Sequence, residues 1–88
     1  MIVSIITPSF NSSRYISNTI NSVIYQTFTQ WEMIIVDDNS TDNTREKIQE
    51  FLDFEPRIKA IFLTKNLGAA NARNVALQQA KGRFIAFL

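Results

Sequence analysis

Four short apolar runs, each separated from the next by a segment with helical spacing, limit the fold of this sequence more than any other feature. The runs occupy residues 2–7, 31–36, 58–63 and 83–88 and read IVSIIT, WEMIIV, IKAIFL and RFIAFL. Because they are short and rich in β-branched and aromatic residues, they predict strands buried on both faces rather than amphipathic helices. Pro8 is predicted to stop the first strand.

The segments between these runs predict helices. In the first two segments, the apolar residues at helical spacing are Ile16, Ile20, Val23 and Ile24, then Ile48, Phe51 and Leu52. The polar residues predicted to cap these two helices are Ser12, Ser13, Ser40, Thr41 and Asp42. Pro56 is predicted to close the second helix. An alanine-rich third helix is predicted to follow Gly68 and to run to about Ala80, before Gly82 ends it.

Strands that alternate with single helices indicate an α/β fold. Right-handed crossovers would place the strands in a parallel, Rossmann-like βαβ sheet with helices on both faces. No linker, low-complexity tract or longer repeat interrupts the pattern, so residues 1–88 are predicted to form a single domain. The last run, FIAFL, would leave an apolar strand at an edge with no helix after it, which indicates a piece of a longer protein.

The charge balance and the missing residue types exclude several functions. Nine basic and eight acidic residues give a net charge of +1, so no strong field would attract nucleic acid or an anionic membrane. Because cysteine and histidine are absent, disulfides, thiolate or imidazole metal sites and nucleophile–base pairs of the triad type are excluded. The sequence carries neither a signal peptide nor a run of about 18 apolar residues, and a cytoplasmic location is predicted.

The second apolar run leads directly into two adjacent aspartates, Asp37 and Asp38. In an open parallel sheet, ligands bind at the carboxyl ends of the strands, and this pair lies at such an end. One carboxylate could simply cap the following helix, but Ser40, Thr41 and Asp42 already offer that function. Two partly buried carboxylates need solvent or a donor-rich partner, so the pair is predicted to bind a ligand.

Two further loops are predicted to reach the same edge of the sheet. TPSFN follows the first strand and presents Phe10, which could instead pack under the first helix. NLGAANARN follows the third strand and carries Arg73, which could reach a phosphate or a carboxylate, or could remain in solvent. An aromatic ring, carboxylates and an arginine together suit a nucleotide. Neither G-x-G-x-x-G nor G-x-x-x-x-G-K-[ST] occurs, so a classical dinucleotide or P-loop site is not predicted.

Four motifs in this order, VSIITPSFN, IIVDDNSTDNT, NLGAANARN and GRFIAFL, closely resemble the N-terminal nucleotide-binding half of family 2 glycosyltransferases with the GT-A fold. The resemblance covers essentially the whole chain. It implies transfer of a sugar from a nucleotide sugar, often a UDP-sugar, to an acceptor hydroxyl with inversion at the anomeric carbon. By this resemblance, Pro8, Ser9 and Phe10 would line the base pocket. Asp38 would accept a hydrogen bond from the base, and Arg73 would lie beside the base and the diphosphate.

The resemblance also implies parts that this sequence does not include. Directly after a strand like RFIAFL, the family carries an Asp-x-Asp type motif that holds a divalent cation, Mn²⁺ or Mg²⁺, on the diphosphate. The catalytic base of the family, a carboxylate that deprotonates the acceptor, lies further on. We therefore expect no catalytic residue and no metal ligand in these 88 residues, and we expect nucleotide binding without sugar transfer.

Two alternative functions come from other classes. The acidic pair also resembles that of phospho-acceptor signalling receivers, but here it follows the second strand, and the third strand exits through TKN without an aspartate. The second alternative is a non-catalytic interaction module that associates through its bare last strand. An apolar edge of this kind predicts dimers or larger homo-oligomers paired along residues 83–88.

Overall fold

The computed structural model describes residues 2–88, in which strands and helices alternate along the chain. The strands are β1 (Val3–Ser9), β2 (Trp31–Asp37), β3 (Ile58–Phe62) and β4 (Phe84–Phe87). The helices are α1 (Ile16–Ile24), α2 (Thr44–Leu52) and α3 (Ala69–Gln79). The strands pair in parallel in the order β3-β2-β1-β4. The predicted α/β class and the parallel sheet are therefore confirmed.

The central strand β2 separates two hydrophobic clusters because alternate side chains of a strand point to opposite faces. Met33 and Ile35 pack in the cluster that contains α1 and α2, whereas Ile34 and Val36 pack in the cluster that contains α3. The residues that α1 and α2 bury in the first cluster are Ile16, Ile20, Val23, Ile48 and Phe51, with Ile24 and Leu52 partly buried. Helices thus cover both faces of the sheet, as the sequence predicts.

Small side chains bring α3 close to the opposite face of the sheet. Ala72 and Ala76 are fully buried against Ile6, Ile34 and Val36. An alanine occupies so little space that the helix backbone can approach the strands directly. The alanine-rich composition of this helix therefore has a structural role.

The prediction that Pro8 stops the first strand is wrong, because Pro8 lies within β1. The carbonyl oxygen of Ile6 accepts the N–H of Leu88 on the β4 side, and that of Ser9 accepts the N–H of Asp38 on the β2 side. Since backbone groups alternate between the two sides, Pro8 faces the β4 side, where the β1–β4 pairing has already ended. The N–H that proline lacks is therefore not needed in the ladder.

The predicted caps of the first two helices are also corrected by the structure. Tyr15 is the N-cap of α1 and Asn43 is the N-cap of α2, and neither makes a side-chain capping hydrogen bond. Ser12 accepts the N–H of Ile16 through its backbone carbonyl oxygen instead. Asp42 does accept the N–H of Thr44, the first residue of α2. Most of these polar side chains contact another loop, as described below.

Gly82 does not end α3, contrary to the prediction. The helix ends at Gln79, and Ala80 already has an extended backbone. The N–H of Gly82 donates to Oγ of Ser4 at 2.7 Å, and a Cβ atom at position 82 would lie only 2.4 Å from that oxygen. Glycine is required here because any side chain would push the backbone that leads into β4 away from β1.

A polar network fastens the edge of the sheet at which the strands begin. The carboxylate of Glu32 in β2 accepts hydrogen bonds from Oγ of Ser4 (2.6 Å), the N–H of Lys81 (2.6 Å) and Nζ of Lys59 (3.0 Å). Burial raises the pKa of Glu32, but these hydrogen bonds outweigh burial and lower the pKa to about 2. The network therefore stabilises the fold through the charged form of Glu32.

Replacement of Glu32 by glutamine should make the chain less stable at neutral pH and less sensitive to acid. Because the pKa of Glu32 falls from 4.5 to about 2 on folding, its contribution is complete above pH 4.5 and disappears as the pH falls toward 2. We expect Glu32→Gln to lower the free energy of unfolding by about 2 kcal/mol at pH 7, with a smaller loss in acid. Urea unfolding at several pH values measures this difference.

The control for this prediction is Glu50→Gln, since Glu50 is exposed on α2. It should leave the free energy of unfolding nearly unchanged at every pH. A loss in Glu32→Gln that is equally large at neutral and acidic pH would contradict the proposed role of the charge.

Candidate functional site

Asp37 and Asp38 are both buried where β2 ends, with 0% and 3% of their surface exposed. Neighbouring side chains of an extended backbone point to opposite faces, so the two carboxylates lie on different sides of the sheet. Asp37 contacts residues of the loop and helix that follow β2, whereas Asp38 contacts the backbone just before α3. The structure therefore separates the two aspartates that the sequence interpretation treated as one unit.

Asp38 holds the loop that leads into α3. Its carboxylate oxygens accept the backbone N–H groups of Leu67 (2.7 Å) and Gly68 (2.9 Å), and its carbonyl oxygen accepts Nδ2 of Asn66 (3.3 Å). Gly68 is the N-cap of α3 and has φ of 89°, a conformation that favours glycine. The negative charge lies at a helix N-terminus, where the helix dipole stabilises it. Each carboxylate oxygen retains the capacity to accept a further hydrogen bond from a ligand.

Asp37 forms an ion pair that the sequence analysis did not predict. Its carboxylate accepts Nε of Arg45 at 2.9 Å, together with the N–H (3.0 Å) and the Oγ–H (2.6 Å) of Ser40. Arg45 also donates to the carbonyl oxygen of Leu63 and lies over the ring of Phe62 at 5.5 Å. A basic residue in the first turn of a helix is disfavoured by the helix dipole, and this local conflict is the signal that could have revealed a specific partner.

The loops after β1 and β2 are joined by hydrogen bonds that use most of the predicted capping residues. Asn11 has φ of 46°, and its Oδ1 accepts the N–H of Thr41 at 2.8 Å. Three successive backbone N–H groups of the first loop donate to side chains of the second: Asn11 to Ser40, Ser12 to Thr44, and Ser13 to Asp42. The side chains of Ser40 and Asp42 were predicted to cap a helix, but they also fix one loop against the other.

A cavity of about 300 Å³ opens at this edge of the sheet. This volume is at the lower end of the range for small-molecule sites, about 300 to 1,000 Å³. Its lining residues are Pro8, Ser9, Phe10, Asp38, Ala69, Ala72, Arg73 and Leu88. The structure thus brings together the five residues that the sequence analysis selected as nucleotide-binding, although they come from three separate segments of the chain.

The side chains around the cavity differ in their burial and in the bonds that they form with the rest of the protein. Phe10 is 50% exposed, so it does not pack as a core residue under α1. Arg73 is exposed on α3 and forms no ion pair within residues 2–88. Asp38, in contrast, is buried and bonded to the loop before α3. The cavity therefore presents an open aromatic face and an unpaired guanidinium beside a firmly held carboxylate.

The described part of the chain has no evident site for a metal ion. Residues 2–88 contain no group of three or more histidine, cysteine, aspartate or glutamate side chains that could hold a cation. Within the same residues, none of the helices has both the length and the apolar character needed to cross a membrane.

Comparisons with known proteins point to one family. The profile of glycosyl transferase family 2 matches residues 4–88. The UDP-Glc:α-D-GlcNAc-diphosphoundecaprenol β-1,3-glucosyltransferase of Escherichia coli is 53% identical over 87 residues, which are 99% of this chain and 34% of that protein. The chain spans about a third of the length of the curated relatives that it matches first.

Two solved structures share the fold. Staphylococcus aureus TarS in complex with UDP-GlcNAc superposes with a TM-score of 0.92 and 37% identity, over 100% of this chain and 26% of that one. The mannosyltransferase PcManGT from Pyrobaculum calidifontis, in complex with GDP-Man and Mn²⁺, superposes with a TM-score of 0.87 and 26% identity. That match covers 94% of this chain and 25% of the mannosyltransferase.

Replacement of Asp38 by alanine should release the loop before α3. The N–H groups of Leu67 and Gly68 would lose their acceptor, so we expect their hydrogen exchange to become at least about tenfold faster and the chain to lose about 1–3 kcal/mol of stability. Amide exchange followed by NMR measures both residues directly. Asp53→Ala is the control, because Asp53 is exposed at the end of α2. Unchanged protection of Leu67 and Gly68 in Asp38→Ala would contradict this role.

Proposed function

This chain belongs to glycosyl transferase family 2, and we propose that its cavity binds the nucleotide of a sugar donor as part of a larger glycosyltransferase. The observation that carries the proposal is the convergence of Phe10, Asp38 and Arg73 on one cavity from three separate segments. Two structures with the same fold hold UDP-GlcNAc and GDP-Man, which supports a nucleotide sugar as the class of ligand. UDP is the proposed nucleotide, because the Escherichia coli relative is named for UDP-Glc and TarS holds UDP-GlcNAc.

Each group in the cavity suits one part of a nucleotide. The half-exposed ring of Phe10 offers a face to the base, with Pro8 and Ser9 beside it. Asp38 offers carboxylate oxygens that accept an N–H of the base. Arg73 has no anionic partner within residues 2–88, and its guanidinium suits the diphosphate.

The reaction that we propose for the whole protein is transfer of the sugar to an acceptor hydroxyl with inversion. Enzymes of this kind generally use a divalent cation, and Mn²⁺ accompanies GDP-Man in the mannosyltransferase structure. The described residues offer no cluster that fits such a cation. The role proposed for this chain is therefore nucleotide binding, with Mn²⁺ or Mg²⁺ and the catalytic base held by other parts of the protein. A cytoplasmic location belongs to the same proposal.

Titration of UDP into the 88-residue chain tests this proposal. We expect the amide signals of Phe10, Asp38 and Arg73 to shift, and we expect Mg²⁺ to leave the affinity nearly unchanged. Arg73→Ala should weaken UDP by about three- to tenfold while it leaves the affinity for uridine unaltered, because only UDP carries the charged groups. Arg83→Ala is the matched control, since Arg83 is exposed and lies outside the cavity lining.

Three results would count against the proposal. Shifts confined to residues outside the cavity would place the ligand elsewhere. Equal losses of affinity for UDP and for uridine in Arg73→Ala would show that Arg73 has no specific role at the diphosphate. Measurable sugar transfer by the chain itself would show that binding alone is too narrow a description.

Self-association through β4 is the second property that we propose. β4 is the outer strand beside β1, and its apolar side chains, together with Leu88, are 41% to 58% exposed at Phe84, Ile85, Phe87 and Leu88. An open apolar edge favours pairing with a second copy of the chain. Leu88 also lines the cavity, but Phe84, Ile85 and Phe87 lie outside that lining, so pairing through these three residues does not require the ligand.

Sedimentation velocity at increasing protein concentration should therefore reveal dimers or larger species. Ile85→Lys should shift the distribution toward the monomer, because a charge on an edge strand opposes pairing. Lys65→Ala is the control. It changes the charge in the opposite direction, at an exposed residue outside β4. A monomer that persists unchanged at the highest concentration would contradict the proposal.

A further inference from the structure

Asp37 does not line the cavity, yet its carboxylate is bonded to residues that hold two of the segments forming the cavity walls. It receives hydrogen bonds from Oγ and the backbone N–H of Ser40 and from Nε of Arg45, at 2.6 to 3.0 Å. Hydrogen bonds to an ionic partner are stronger and better defined than those between neutral groups. Asp37 is therefore a fixed point behind the cavity.

The first connection from Asp37 leads through Ser40 to the segment that carries Phe10. The hydroxyl of Ser40 has a single proton, which it donates to Oδ1 of Asp37. Oγ of Ser40 also accepts the backbone N–H of Asn11 at 2.9 Å. Asn11 follows Phe10 directly and has φ of 46°, a conformation that is uncommon for residues other than glycine. Asp37 thus orients the hydroxyl that holds the backbone next to the aromatic ring.

The second connection leads through Arg45 to the segment after β3. The planar guanidinium of Arg45 donates to Asp37 through Nε and to the carbonyl oxygen of Leu63 through Nη2. The N–H of Leu63 donates in turn to the carbonyl oxygen of Asp37 at 2.9 Å. The chain continues from Leu63 to Leu67, whose N–H binds Asp38. Arg45 therefore fixes the start of the loop that Asp38 holds at its other end.

We propose that Asp37, together with Ser40 and Arg45, positions the two walls of the nucleotide cavity without touching the ligand. Phe10 forms one wall, and Asp38 with the start of α3, which follows the loop that Asp38 holds, forms the other. Groups that bind a ligand must be held to within roughly 0.5 Å, and this carboxylate is the point to which both walls are attached. The inference rests on the proposed nucleotide-binding function.

A second ion pair in the chain provides a matched control. Arg57 pairs with Glu55 at 2.9 Å, the same separation as Arg45 and Asp37. The side chains of Arg57 and Arg45 are 35% and 37% exposed, respectively. Each also lies over an aromatic ring and donates to a backbone carbonyl oxygen. Arg57 lies just before β3, at the edge of the sheet opposite the cavity, so only general stability is shared between the two pairs.

The test compares four variants of the 88-residue chain in UDP titrations followed by NMR, with thermal unfolding measured in parallel. Ser40→Ala and Arg45→Lys should weaken UDP binding by about three- to tenfold, because each breaks one connection. Ser40→Thr keeps a hydroxyl and should restore the original affinity. Arg57→Lys should lower the unfolding temperature about as much as Arg45→Lys but leave the affinity unchanged. In the unliganded chain, Ser40→Ala should shift the ring signals of Phe10.

Each result bears on the proposal. Unchanged affinity in a folded Ser40→Ala would overturn the positioning role and leave the nucleotide site intact. Equal weakening in Arg57→Lys would also overturn it, because binding would then follow stability. Absence of UDP binding by the unsubstituted chain would overturn the proposed function and the positioning role together. If Arg45→Lys does not fold, Ser40→Ala and its rescue by Ser40→Thr decide the question.

Discussion

Two carboxylates at the end of a buried strand need hydrogen-bond donors from the protein, and the loops around them are arranged to provide those donors. Asp37 and Asp38 have almost no exposed surface. Because they point to opposite faces of the sheet, they collect different donors: a guanidinium and a serine for the first, backbone N–H groups for the second. The cavity lies where these two sets of contacts meet, so its shape depends on both being satisfied.

The two edges of the sheet have different roles. At the edge where the strands begin, Glu32 joins Ser4, Lys59 and the backbone of Lys81, and so connects three strands and the entry to the fourth. At the other edge, loops diverge and leave a cavity between them. In a parallel sheet all the loops that follow strands leave from the same edge, which places the cavity apart from the contacts of Glu32.

The sequence was sufficient to predict the order of strands and helices, because buried parallel strands have continuous apolar runs. It was also sufficient to predict that Phe10, Asp38 and Arg73 would share one cavity, since parallel topology brings the carboxyl ends of strands together. It was not sufficient for Pro8, whose tolerance within β1 depends on where a strand 75 or more residues later ends its pairing. The ion pair of Arg45 likewise joins elements whose relative placement only the packed structure defines.

The exposure of the ring and the guanidinium in the cavity has a consequence for how such a site can evolve. Phe10 and Arg73 contribute little to folding, because Phe10 is 50% exposed and Arg73 is exposed and pairs with no carboxylate of the described chain. Under the proposed function, a substitution at either position can therefore change ligand preference at small cost to stability. Replacement of Asp38 would cost more stability, since it would also remove the hydrogen bond that holds the N-terminus of α3. Under the proposed function, divergence toward other nucleotide sugars should thus accumulate at the open side of the cavity, while Asp37 and Asp38 stay the same.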